Sequence, residues 1–172
     1  MFTGSFTYHA NLDAVQYFLG EIYPNVRRDN PEGVVKVLGS LNGVDRNTFP
    51  NGGSVKFLGL QHDVRPEIAN SWVSIVPLRV GAGTRLKIIE SMALGTPVVS
   101  TSKGAEGLHV RHGENILIAD TPQEFSEAVL SVLRSRELRS RLSGAGLHLV
   151  REKYSADAMG RAYELLLKQV VQ

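Results

Sequence analysis

The segment PLRVGAGTRLKIIESMALGTPVV, residues 77–99, concentrates residue types suited to holding an anion. Gly81 and Gly83 stand just ahead of an expected helix and beyond the carboxyl end of an apolar run. Unpaired N–H groups and the positive end of the helix dipole meet at such a place. Arg85 and Lys87 add two cations to the first turn, where the dipole disfavours them and carboxylates would be stabilising. An anion such as a diphosphate sharing the space would account for them, and a solvated pair on an exposed turn is the alternative. Glu90 lies three or four positions from Leu86, Ala93 and Leu94, so it is expected to project from an apolar helical face. An ionised carboxylate there is unfavourable unless hydrogen-bonded. A ribose diol would satisfy it, and an ion pair with Lys87 is the alternative.

Two further stretches carry candidate chemistry. The loop TSKGAEGLHVRHGEN begins with Lys103, Gly104, Ala105 and Glu106 just past a strand end, where loops more often bind than pack. Gly4-Ser5 ends the first apolar run, either as a simple turn or as a place where backbone approaches a ligand closely. No GxGxxG follows it, which disfavours a nicotinamide or flavin site. His109 and His112 lie three apart with no third ligand in view, so no metal is expected. Neither a Ser-His-Asp order nor a G-x-S-x-G elbow is present.

These residues must be positioned by an alternating chain. FTGSF, GVVKVLG, SVKFLG, WVSIVPL, TPVVST and NILIA read as six strands. Helices are expected over 11–28, 63–70, 84–94, 122–133, 136–153 and about 155–171. Asn11 is the expected cap of the first, Pro24 should kink or stop it, and Gly95 closes the fourth. Thr121 and Pro122 open the fifth. The polar stretch SLNGVDRNTFPNGG separates the second and third strands. Such alternation implies an α/β fold, a Rossmann-like three-layer αβα sandwich on a six-stranded parallel sheet. Ligands of such sheets sit beyond the strand carboxyl ends, where strand order reverses.

Length and composition agree with one domain over residues 1–172. Hydrophobic residues make up 42% and charged residues 21%, as expected of a globular chain. Nineteen Lys+Arg against 17 Asp+Glu leave +2, too little to argue for nucleic acid or an anionic membrane. The arginines at 134, 136, 139, 141 and 151 are interrupted by Glu137 and Glu152, so a nucleic-acid stripe is not expected. The absence of cysteine excludes disulfides, thiolate nucleophiles and Cys-ligated metals. No apolar run approaches a membrane span, and no signal peptide is visible at MFTGSFTYHA, so a cytoplasmic setting is expected.

Taken together, GAGTRLKIIESMALGTPVVST, KGAEGL and a GEN-x-L-x-x-D turn resemble the donor-nucleotide half of family 4 retaining glycosyltransferases of the GT-B fold. The similarity extends from GSFTYHANLDAV through LGLQHDVRPEIANSWVSIVPL to the end of the chain. The resemblance implies the C-terminal domain of a two-domain enzyme. Its partners would be a nucleoside-diphosphate sugar and an N-terminal acceptor domain, with no metal cofactor. Peripheral membrane association of the full-length enzyme is compatible with it. Starting directly at a strand suggests a cut at the domain boundary and a fragment inactive by itself. Glu90 matches the second glutamate of the family's E-x7-E motif, a ribose ligand, whereas Ala82 stands at the first. The family's basic pair R-x5-K-G after the first strand is missing. The implied donor site therefore runs through Gly4, Ser5, the Gly81–Gly83 backbone, Thr84, and Arg85 and Lys87 as diphosphate ligands. It continues through Lys103, Gly104, Ala105 and Glu106, with Gly59 and Leu60 packing the base. A nucleotide-sugar 2-epimerase half and a non-catalytic α/β binding module are the rival readings.

Overall fold

A computed structural model of the chain describes residues 1–41, 43–45, 49 and 54–170, except the side chain of residue 170. Six short strands are interspersed with helices: β1 (Phe2–Thr3), β2 (Val35–Leu38), β3 (Val55–Gly59), β4 (Ser74–Val76), β5 (Val98–Ser100) and β6 (Leu117–Ile118), with no described helix between β2 and β3 or between β5 and β6. All pairings are parallel; helices connect β1 to β2 and β4 to β5, whereas β5 reaches β6 through a long loop. The strands form two three-stranded sheets, β1-β2-β3 and β4-β5-β6, not the single six-stranded sheet expected from the sequence. The reason is local. β1 has two residues, and at the seam the Ile75 N–H donates to the Met1 carbonyl at 2.9 Å without growing into a ladder. The strand order across that seam is 3-2-1-4-5-6, with its reversal between β1 and β4.

The first helix runs through Pro24 instead of stopping there. α1 (His9–Tyr17) passes through a π-helical turn (Phe18–Ile22) into α2 (Tyr23–Asp29). A proline cannot donate to the carbonyl four residues back and its ring crowds that carbonyl; the wider turn ahead of Pro24 relieves both. Tyr8, not Asn11, occupies the N-cap position. Asn11 lies inside the first turn with its side chain buried.

Local signals hold elsewhere. After α3 (Arg65–Ala69), α4 (Leu86–Ala93) ends at Gly95, whose φ of +74° a side chain would strain. The Thr96 N–H donates to Ser91 O and the Gly95 N–H to Met92 O, a Schellman closure. α5 (Pro122–Arg134) opens on a capping box between Thr121 and Glu124. α6 (Arg136–Leu149) is capped by Ser135 and closes through a second π-helical turn at 150–154 into α7 (Ala156–Val170). Arg139 donates to the Val132 and Leu133 carbonyls at 2.7 and 2.8 Å, satisfying the end of α5.

The main core joins both sheets through Phe2, Ile75, Val76, Val98 and Val99 with Phe18, Ile22, Ile88 and Phe125 from the helices. A smaller cluster of Met1, Leu38 and Ile68 lies under β2. Much of the 40–53 stretch falls outside the described residues. No described helix is long and apolar enough to cross a membrane.

Candidate functional site

The reversal between β1 and β4 brings two loops together: Gly4 to Tyr8 after β1, and Pro77 to Arg85 after β4. They are tied across the gap. The Tyr8 hydroxyl accepts the Ala82 N–H at 3.3 Å, and a Cβ on Gly81 would fall 2.8 Å from that hydroxyl and 3.0 Å from the Ala10 Cβ. Gly81, at φ +105°, is therefore fixed both by its backbone and by the close approach of α1. Ala82, Gly83 and Thr84 are exposed on the rim leading to α4.

Arg85 and Lys87 fold inward at the start of α4. Arg85 is only 5% exposed, which removes the reading of a solvated pair. Its Nη2 donates to the Gly81 carbonyl at 3.3 Å and to Glu106 Oε2 at 3.2 Å, while its buried Nε has no partner among the described residues. A buried unpaired donor on a cation is an unfavourable arrangement that an anion would relieve. The Lys87 ammonium donates to Asn11 Oδ1 at 2.6 Å and lies 4.3 Å from the Phe2 ring centroid. Burial, reinforced by the Arg85 charge and opposed by Glu90, lowers its pKa to about 8. α4 carries no acid in its first turn and no side-chain cap. The positive dipole end and two cations thus share one spot with no acidic residue in the helix's own first turn.

The loop after β5 supplies that counter-charge. Glu106, 57% exposed, accepts from Lys103 at 2.6 Å and from Arg85. Lys103 foremost, with Arg85, holds its carboxyl below the usual carboxylate range. Gly104 and Ala105 lie beneath these side chains. A Cβ on Gly104 would stand 2.6 Å from the Val76 carbonyl and would also clash with Ser100 Oγ. The Gly104 and Ala105 amides are already taken by Thr101, so these two residues pack the loop and Lys103 and Glu106 face outward.

Glu90 differs from the expectation. The buried stripe of α4 is Ile88, Ser91 and Met92, whereas Leu86 and Ala93, beside Glu90, are exposed. Glu90 is itself exposed and, among the described residues, its carboxylate makes no hydrogen bond or ion pair; its charge reaches Lys87 only through space, so neither a buried carboxylate nor a contact pair with Lys87 is found. A four-residue step put Leu86 and Glu90 on one face, but packing chose the other face for the core. Ser5 is exposed, its carbonyl accepting from Asn11 at 2.8 Å. Gly59, at φ +68°, ends β3 and Leu60, 82% exposed, follows it, two strands from the seam. The strand carboxyl ends thus gather Gly4, Ser5, Gly81–Lys87, Lys103 and Glu106, with Glu90 one turn along α4 and Gly59–Leu60 to one side. Sequence reasoning missed Asn11 and Tyr8. Their partners are 76 and 74 residues away, and no local pattern marks them. The apolar cavity of about 350 Å³ beside Trp72 and Val34 contains none of the candidate residues.

With this geometry in place, the chain can be compared with known proteins. The model for glycosyl transferases group 1 matches residues 1–135. The chain belongs to that family. It is 34% identical over 117 residues to the lipopolysaccharide core biosynthesis glycosyltransferase LpsE of Rhizobium meliloti (strain 1021), covering 67% of this chain and 34% of LpsE. The chain therefore spans about a third of that relative's length. Among solved structures, it resembles the C-terminal domain of a glycosyl transferase group 1 family protein, LpcC, from Francisella tularensis. The TM-score is 0.73 at 17% identity, over 91% of this chain and 84% of that one. Anabaena HepE in complex with UDP matches with a TM-score of 0.73 at 15% identity, over 98% of this chain and 48% of that one. These likenesses establish the Rossmann-like α/β fold of the GT-B half for this group 1 chain.

Proposed function

We propose that this chain is the donor-binding half of a retaining glycosyltransferase, holding a nucleoside-diphosphate sugar where β1 and β4 part. The observation that carries the reading is Arg85: a buried cation at the start of α4 with an unpartnered Nε, beside Lys87. During transfer the glycosyl–oxygen bond breaks and negative charge grows on the departing diphosphate. Preorganised cations and helix-terminal N–H groups stabilise that charge without reorganising. Arg85, Lys87 and the start of α4 supply them, and no metal is needed for neutralisation. Glu90 accepts the ribose hydroxyls, its exposure on α4 leaving it open to do so. Gly59 and Leu60 offer an open surface for the base. An acceptor domain of the same enzyme supplies the second substrate.

Family membership and the UDP bound by HepE support this reading. Calorimetric titration with UDP, GDP and ADP tests it. One of the three should bind, with affinity unchanged by EDTA. Failure of all three would refute donor binding, and loss of binding on chelation would refute the metal-free site.

A further inference from the structure

Asn11 has no role in the reading above, yet it sits at its centre. It is a buried polar side chain inside α1, and it does not cap the helix. Its Nδ2 donates to the Ser5 carbonyl at 2.8 Å and its Oδ1 accepts from the Lys87 ammonium at 2.6 Å. One carbonyl and one ammonium fix which way the amide faces, since only its oxygen can accept. The fit extends to the backbone: a Cβ on Gly4 would fall 2.7 Å from Asn11 Nδ2, so the residue at position 4 makes room for this amide. Three elements, the β1–α1 loop, α1 and α4, thus meet at one side chain.

We propose that Asn11 is a positioning residue that aims the Lys87 ammonium at the diphosphate; this rests on the donor-binding reading. Burial already weakens the charge of Lys87, and the Phe2 ring on one side offers it no hydrogen-bond acceptor. Asn11 supplies the acceptor that holds the ammonium in one direction. Because the amide is neutral, the lysine's charge is left for the ligand. An aspartate of the same shape would take the ammonium as an ion pair before a diphosphate arrives. It would also set an oxygen against the Ser5 carbonyl. An alanine would leave the ammonium undirected.

The test is a double-mutant cycle of Asn11→Asp with Lys87→Met, read by titration with UDP and, for a ligand without phosphate, with uridine by ligand-observed NMR. Asn11→Asp should weaken UDP by about tenfold or more, as expected for a disturbed charge-assisted contact, and leave uridine within about twofold. In the Lys87→Met background the same substitution should change UDP affinity by less than about twofold. Should the aspartate variant fail to fold, Asn11→Ala enters the same cycle with the same expectations. Equal losses for UDP and uridine, or the same loss with and without Lys87, would mean that Asn11 merely supports the fold, and would overturn the proposal. If the unsubstituted chain binds UDP and the Asn11 variants bind it equally well, only this inference falls. If the unsubstituted chain binds none of UDP, GDP and ADP, the donor reading falls and takes the inference with it; if it binds GDP or ADP instead, that nucleotide and its nucleoside replace UDP and uridine in the cycle.

Discussion

Arg85→Met should separate binding from folding. Arg85 is buried, its Nε has no partner among the described residues, and its Nη2 meets the Gly81 carbonyl and one exposed carboxylate. Leaving a buried donor unsatisfied is unfavourable by about 1–3 kcal/mol. Methionine fills much of the same volume without a charge or a donor, and replacing a buried charge by an apolar side chain of similar size is often neutral or stabilising. Against this stand the lost bond to Gly81 and the lost pairing with Glu106, which keeps Lys103 as a partner at 2.6 Å. The terms nearly cancel, and 1 kcal/mol corresponds to about 2–4 °C for a domain of this size, so the melting temperature should stay within about 4 °C or rise. Diphosphate binding should respond quite differently. A charge-assisted contact is worth about 1.5–3 kcal/mol, so UDP affinity should fall by about 10–150-fold. Scanning calorimetry reads the first quantity and isothermal titration the second. A melting temperature lowered by more than about 4 °C with UDP affinity within about twofold of the parent would show that Arg85 supports the structure and not the ligand.

Lys87, with its pKa lowered to about 8, gives a pH signature of two signs. Between about 8 and the ordinary lysine value near 10.4 the unfolded chain binds more protons, so stability attributable to Lys87 should rise with pH over that window. UDP affinity should fall over the same window as the ammonium is lost, and Lys87→Met should remove both trends from melts and titrations recorded across it. Glu90→Gln should leave the melting temperature unchanged, because the carboxylate is exposed and unbonded, while weakening UDP and sparing pyrophosphate; equal effects on the two ligands would take Glu90 away from the ribose. Gly104→Ala should lower the melting temperature by several degrees, since the new methyl meets the Val76 carbonyl at 2.6 Å, and an unchanged melt would show that the loop can move aside.

What local chemistry controls was legible from the residues. The capping box at Thr121 and Glu124, the Schellman closure at Gly95 and the alternation of strands with helices depend on neighbours a few residues apart. The gathering of Gly81–Lys87 with Gly4 and Ser5 followed as well, because parallel strands place their carboxyl ends together whatever their length. Pro24 signals a kink or a stop because its effect on an α-helix is local; the chain does not stop there, and a π-helical turn whose Phe18 and Ile22 are buried in the core absorbs it. Which face of α4 lies inward could not be read from periodicity. Leu86, Glu90 and Ala93 and the stripe of Ile88, Ser91 and Met92 are both plausible helical faces, and only packing against β4, β5 and α6 decides between them. The same holds for charge. Arg85 and Lys87 are cations two positions apart in sequence, but their burial and the unpaired Nε of Arg85 arise from elements 21 to 76 residues away. So do the acceptors they find in Glu106 and Asn11. Spacing along the chain sets which residues can share a helix or a turn, whereas burial and long-range hydrogen bonds exist only once the sheets have brought distant loops together.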